Sequence, residues 1–88
     1  MEVVYSRLVH KKVVKGKIAI EIWEDFKHAF DSFSKHLNFR IFDIKKLIVK
    51  NESVYYRLRL GKYRALFRMD QHRIYVENIG PRGGIYKP

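Results

Sequence analysis

The chain has 88 residues, of which 47% are hydrophobic and 15% aromatic, and nineteen lysines and arginines against nine aspartates and glutamates give it a net charge of +10. This length suits one domain over residues 1–88, and the hydrophobic content excludes a largely disordered chain. Because cysteine is absent, neither a disulfide framework nor a thiolate metal site can form. The apolar runs are too short to span a membrane, and no signal peptide is recognised, so we expect a cytoplasmic protein.

The positive charge is concentrated in the second half of the chain. Residues 1–44 contain eight basic and six acidic residues, whereas residues 45–88 contain eleven basic and three acidic residues. Such asymmetry indicates a polyanionic partner, and nucleic acid is favoured over an anionic membrane. The alternative is a charge that serves only solubility.

The N-terminal third predicts a strand followed by helical structure. Residues 2–9 are rich in β-branched and aromatic side chains, which favours a strand. Residues 10–17 are ambiguous: they form either a short helix broken at Gly16 or an extension of the next helix. Residues 18–37 predict the main helix, with Asn38 as the left-handed residue that ends it. Its apolar side chains recur every three or four positions and so form one stripe for the core: Ile18, Ile22, Phe26, Phe30, Phe33 and Leu37.

The remainder of the chain predicts a meander of strands. The candidate strands are residues 41–49, 54–60, 63–69 and 73–79, joined by a two-residue turn at Gly61-Lys62 and a second turn at residues 70–72. The glycine-rich segment 80–84 ends the regular structure. This order predicts an α+β fold with the helices on one face of the sheet.

Alternation along the two central strands predicts that one face of the sheet carries arginine. Arg57 and Arg59 point away from the helix side on one strand, and Arg64 and Arg68 do so on the next. Adjacent like charges repel, and an unmixed arginine set suits bidentate binding of phosphate. The alternative is a solvated outer face that the arginine stems cover.

The C-terminal segment adds one more arginine and an aromatic residue. Arg82 lies among glycines that allow a close approach of the backbone to a phosphate. Tyr86 follows, and its ring either stacks on a base or anchors the tail to the sheet.

Two motifs resemble those of a known toxin superfamily. The run YRLRLGKYRALF at residues 56–67 resembles the central hairpin of the RelE/ParE superfamily, and IGPRGGIY at residues 79–86 resembles its C-terminal element. Lys46-Leu47 resembles the dipeptide before that hairpin, and Pro-Arg-Gly looks like archaeal members. The resemblance implies a curved, antiparallel-rich sheet with one or two N-terminal helices on one face. Two features depart from the pattern: the first helix has little room before residue 17, and the glycine after Lys46-Leu47 is replaced within residues 48–50.

The resemblance also implies a function. RelE-type members are toxins of type II toxin–antitoxin systems that cut mRNA in the ribosomal A site without a metal or cofactor, until an acidic RelB-like antitoxin covers them. The matching catalytic positions are Arg57, Arg59, Arg64, Arg82 and Tyr86, and the flanking nucleic-acid-binding positions are Lys46, Lys62, Arg68 and Lys87. Two alternatives stay open: a non-catalytic member that only binds RNA or antitoxin, and a ParE-type inhibitor of gyrase.

Fixed cations suit the chemistry that the resemblance implies. When a 2′-hydroxyl attacks the adjacent phosphate, negative charge grows on the phosphorane oxygens, and guanidinium groups aimed there stabilise the transition state. The four histidines show no spacing typical of metal ligands. Some bacterial relatives carry lysine where this chain has Arg57 and Arg59, and arginine does not give up its proton near neutral pH. Tyr86 is therefore one candidate general base, and positioning of the RNA by the ribosome is another source of catalysis.

Overall fold

The computed structural model of the protein describes residues 1–50 and 53–81, with the backbone alone at residues 48–50 and 53. Two helices and five strands follow one another in the order β1 (Glu2–Tyr5), α1 (Arg7–Val14), α2 (Ile20–His36), β2 (Asp43–Lys50), β3 (Ser53–Leu60), β4 (Tyr63–Met69) and β5 (Arg73–Gly80). The strands form one sheet in the order β1-β5-β4-β3-β2, in which β1 runs parallel to β5 and all other neighbours are antiparallel. The predicted α+β class is confirmed. No helix within the described residues is long and apolar enough to cross a membrane.

Strand β1 ends four residues earlier than the sequence predicts. Ser6 caps α1, because its Oγ accepts a hydrogen bond from the Val9 backbone N–H at 3.2 Å. The same Oγ donates to the Glu77 carbonyl at 2.7 Å, which fixes the start of the helix against β5. The prediction of a strand over residues 2–9 is therefore wrong beyond Tyr5. A cap and a contact 71 residues away in sequence outweigh a local composition that favours a strand.

Helices α1 and α2 are separate, as one of the two alternatives for residues 10–17 predicts. Gly16 has a φ of +71°, a left-handed conformation that ends α1. At the far end of α2 the left-handed residue is Leu37, with a φ of +50°, and the prediction of Asn38 for this role is wrong. The Asn38 side chain is used differently, since its Oδ1 accepts a hydrogen bond from the Arg40 backbone N–H at 2.9 Å.

The apolar stripe of α2 packs on one face of the sheet. Phe26, Phe30 and Phe33 are fully buried. Phe67 of β4 receives Phe30 and Phe33 edge-on, with ring centroids 5.3 and 5.8 Å apart. Tyr56 of β3 stacks on Phe67 at 5.4 Å. Aromatic packing of this kind contributes about 0.5–1.5 kcal/mol per pair beyond the burial of area, so it fixes which face of the sheet stays uncovered.

The central hairpin is closed by a two-residue turn. Leu60 pairs with Tyr63, and Gly61 between them has a φ of +60° whereas Lys62 does not have a positive φ. A positive φ at the first turn residue alone is the pattern of a type II′ turn, which favours glycine there. The turn thereby sets the register that places the arginines of β3 and β4 opposite one another.

Candidate nucleic-acid interface

The register of the sheet separates a helix-covered face from the opposite face, which we call the open face. Tyr56 pairs with Phe67 on the covered side. Arg57 pairs with Leu66, Arg59 with Arg64, and Tyr55 with Arg68, and these alternate residues point to the other side. The prediction that Arg57, Arg59, Arg64 and Arg68 share one face is confirmed.

Arg59 and Arg64 form the most concentrated charge on the open face. They are direct cross-strand partners, so their Cβ atoms lie about 4.5–5.5 Å apart. Arg64 forms no salt bridge with any residue of the described ranges. Two guanidinium groups of like charge at this spacing make a site that an anion would stabilise.

The prediction of an unmixed arginine face is wrong, because carboxylates reach it. Asp43, the first residue of β2, pairs with Arg59 across the sheet. Its Oδ1 accepts a hydrogen bond from Arg57 Nη2 at 3.2 Å, and its Oδ2 forms an ion pair with Arg59 Nε at 3.1 Å. One carboxylate thus holds two guanidinium groups and leaves this trio with a net positive charge. The pattern of β3 and β4 alone does not reveal this neighbour, which comes from β2.

Arg68 has a carboxylate of its own. The β4–β5 pairing shifts between Leu66 and Phe67, which leaves Glu77 as an additional residue on β5. This bulge brings Glu77 Oε1 to 2.8 Å from Arg68 Nε, and the Arg68 Cζ lies 4.2 Å from the centroid of the Tyr75 ring. The side chain of Arg68 is therefore held by two neighbours on β5.

The register of β2 against β3 decides which lysine lies beside the arginines, and it is not the one that the sequence predicts. Lys46 pairs with Tyr56 and so belongs to the helix-covered side, which separates it from the arginines. Lys45 pairs with Arg57 and lies on the open face instead. A shift of one residue changes the face of every side chain in a strand, so sequence analysis missed Lys45. Lys62 lies exposed in the hairpin turn, at one end of the face.

The open face keeps an excess of positive charge after its ion pairs are counted. Arg73 is paired with Glu2 at 2.7 Å. Among the strand residues whose side chains the structure describes, the face carries six basic and three acidic residues: Lys45, Arg57, Arg59, Arg64, Arg68 and Arg73, and Glu2, Asp43 and Glu77. The described face is thus cationic but partly neutralised by its own carboxylates.

The C-terminal candidates lie outside the described residues. Gly80 pairs with Arg64, and Pro81 is the last residue described. Arg82, Tyr86 and Lys87 follow in the sequence, and the roles predicted for them stay predictions. In the sequence, Arg82 comes two residues after Gly80, the partner of Arg64.

A lysine that sequence analysis missed lies at the edge of β5. Lys12 of α1 donates from Nζ to Asn78 Oδ1 at 2.7 Å and to the Ile79 carbonyl at 3.1 Å. Desolvation, with a smaller contribution from nearby Lys17, lowers the pKa of Lys12. The position of Lys12 in the sequence of α1 does not predict this contact, because the contact depends on how α1 packs against the end of the sheet.

Within the described residues, no three histidine, aspartate or glutamate side chains are grouped as a metal site.

Comparison with known proteins shows the fold. No protein-family model matches the chain, and no curated protein matches it. Among solved structures, the chain is similar to a chain of the archaeal RelE–RelB complex from Pyrococcus horikoshii OT3. The two share 24% identity and a TM-score of 0.71 over 93% of this chain and 94% of the other. The protein therefore has the RelE-type fold, as the sequence motifs predict.

Proposed function

We propose that the protein is a RelE-type toxin, an endoribonuclease that cuts mRNA in the ribosomal A site and so arrests translation. In this proposal residues 1–88 form one toxin domain that acts in the cytoplasm, where it meets translating ribosomes. The observation that supports it best is the direct opposition of Arg59 and Arg64 on the open face of a RelE-type sheet. Such a pair costs stability unless an anion binds there.

In this proposal, guanidinium groups stabilise the negative charge that develops on the phosphate during cleavage. The 2′-oxygen forms a bond to phosphorus while the bond from phosphorus to the 5′-oxygen breaks, and the phosphorane oxygens carry the growing charge. Arg64 and Arg82 are assigned to the scissile phosphate, and Arg57 and Arg59 to flanking phosphates. Guanidinium groups fixed before the reaction stabilise that charge without reorganisation.

Proton transfer needs a separate group. The 2′-hydroxyl must lose a proton and the leaving 5′-oxygen must gain one, and arginine is unsuited to the first task. Tyr86 is assigned either to this transfer or to stacking on a base. Lys46, Lys62 and Lys87 are assigned to outer contacts with RNA, Lys46 from the helix-covered side of β2, which is an edge strand of the sheet. No metal or cofactor enters these steps.

An antitoxin is the second proposed partner. The matched solved structure is a RelE–RelB complex, and we infer that this chain likewise binds a RelB-like partner. The excess of positive charge on the open face calls for an acidic segment, which would occupy the phosphate sites and exclude RNA.

Toeprinting on translating ribosomes tests the proposal. Purified protein should produce mRNA ends within the A-site codon, and free mRNA without ribosomes should stay intact. Intact message together with tight RNA binding would instead support a non-catalytic binder. DNA breaks in cells without any mRNA cleavage would support the gyrase inhibitor.

A further inference from the structure

On the open face, the guanidinium group of Arg68 lies over the ring of Tyr75. This contact is separate from the Arg59–Arg64 pair, because Arg68 follows Arg64 by four residues on β4. The Cζ atom of Arg68 is 4.2 Å from the ring centroid of Tyr75. Tyr55 is the cross-strand partner of Arg68 on its other side, and Tyr75 is its partner on β5. Three strands thus contribute a continuous row of tyrosine, arginine and tyrosine.

Hydrogen bonds to two carboxylates hold Arg68 and Tyr75 in this row. The Nε of Arg68 donates to Glu77 Oε1 at 2.8 Å, in the plane of the guanidinium group. The hydroxyl of Tyr75 donates to Asp70 Oδ2 at 3.3 Å. The other oxygen of Asp70 accepts the backbone N–H groups of His72 and Arg73, each at 2.8 Å. The ring is therefore tied to the turn before β5, and the guanidinium group of Arg68 lies against this ring.

The neighbours of Arg68 favour a flat, neutral ligand over a phosphate. The Glu77 carboxylate lies 2.8 Å from Arg68 Nε and, among the described residues, pairs with no other cation, so its negative charge opposes a second anion at the same place. Asp43, by contrast, is shared between Arg57 and Arg59, which leaves those two with surplus charge. The side chain of Arg68 remains 37% exposed. An arginine plane and tyrosine rings are groups on which unpaired bases stack.

We propose that Arg68, supported by Tyr75 and Glu77, forms a stacking site for an unpaired nucleobase. The inference rests on the proposed function in taking RNA as the ligand, and it assigns Arg68 to a base and not to the phosphate backbone. Arg64 and Arg68 are four residues apart on β4, so the site lies about 13 Å from the proposed cleavage position. The stacked base therefore belongs to a nucleotide that flanks the cut.

Binding to a normal and an abasic RNA strand tests the site directly. The two single strands have the same length and the same number of phosphates, and only the first carries bases. The variants are Arg68→Lys, which keeps the charge but loses the plane, and Tyr75→Leu, which removes the supporting ring. Arg40→Lys is the control, because it makes the same exchange at an exposed arginine in the connection between α2 and β2. Circular dichroism checks that each variant is folded.

The wild-type protein should bind the normal strand at least about fivefold more tightly than the abasic strand. Both Arg68→Lys and Tyr75→Leu should lose most of this preference while their affinity for the abasic strand stays close to wild type. The control should keep the preference. An unchanged preference in Arg68→Lys, or no preference in the wild type, would overturn the inference.

The outcome can be separated from that of the proposed function. A protein that prefers bases through Arg68 but never cuts mRNA on ribosomes would retain the stacking site and lose the ribonuclease assignment. If the protein cuts mRNA but Arg68→Lys keeps its preference for the normal strand, the ribonuclease assignment would stand and the stacking site would be ruled out.

Discussion

Arg59 of β3 and Arg64 of β4 are direct cross-strand partners on the open face, and Asp43 neutralises only the first of them among the described residues. A sheet that was built for stability alone would place opposite charges at such a pair. The arrangement therefore costs folding stability at a place where an anion would restore it.

Removal of Arg64 should leave the protein as stable as before or slightly more stable. Arg64→Ala relieves the repulsion with Arg59, which contributes roughly 0.2–1 kcal/mol. Urea denaturation at low salt measures the free energy of unfolding. Lys35→Ala is the control, because it breaks the exposed Asp31–Lys35 pair and should cost at most about 0.5 kcal/mol. A loss above about 1 kcal/mol in Arg64→Ala would show that Arg64 serves the fold.

Neutralisation of Asp43 should strengthen binding to RNA. In Asp43→Asn the guanidinium groups of Arg57 and Arg59 lose the carboxylate at 3.2 and 3.1 Å and become available to phosphates. Each new phosphate contact should steepen the dependence of log affinity on log salt by about 0.7 for a single strand. Asp31→Asn matches the charge change on the far side of the molecule. Equal slopes in the two variants would mean that Asp43 does not compete with phosphate.

The first helix should depend on its cap. Ser6→Ala removes the hydrogen bonds to the Val9 N–H and to the Glu77 carbonyl. The expected cost is about 0.5–2 kcal/mol, the usual range for loss of an N-cap. Ser32→Ala on α2 is a suitable comparison, since a helix-interior alanine is neutral or favourable. Thermal unfolding of both variants checks the difference, and equal melting temperatures would contradict the capping role.

Stability should fall at alkaline pH through Tyr5. Burial, with a smaller contribution from Asp31, raises the pKa of Tyr5 to about 12. Because the folded state holds this proton more tightly than the unfolded state does, the contribution to stability is complete below pH 10 and is lost as the pH rises toward 12. Tyr5→Phe keeps the aromatic ring that packs against Trp23 at 4.7 Å. Because this variant has no phenol proton to lose, its free energy of unfolding should fall less between pH 10 and pH 12 than that of the wild type. Denaturation midpoints of both proteins, measured at several pH values, test this prediction. A parallel decrease of the two midpoints with rising pH would contradict it.

The sequence predicts the helix, the strands and the face of the arginines because each depends on local periodicity. The stripe of α2 is readable from Phe26, Phe30 and Phe33, and they are all buried. The start of α1 is not readable in the same way, because the bond from Ser6 to Glu77 links residues far apart in the chain.

The charge balance of the site depends on register and so escapes sequence analysis. The pairing of β2 with β3 decides that Lys45 lies on the open face and Lys46 does not. It also brings Asp43 to the arginines, while a bulge in β5 brings Glu77 to Arg68. Each of these contacts would be lost or moved by a shift of a single residue.

The cleavage rate of message on stalled ribosomes tests the central claim most directly. Arg64→Ala should cut A-site codons roughly 100- to 1000-fold more slowly than the wild type, which is the usual effect of losing one group that stabilises transition-state charge. Lys35→Ala, which removes the same charge from the outer side of α2, should cut at the wild-type rate. Equal rates for Arg64→Ala and the wild type would contradict the assignment of the open face as a ribonuclease site.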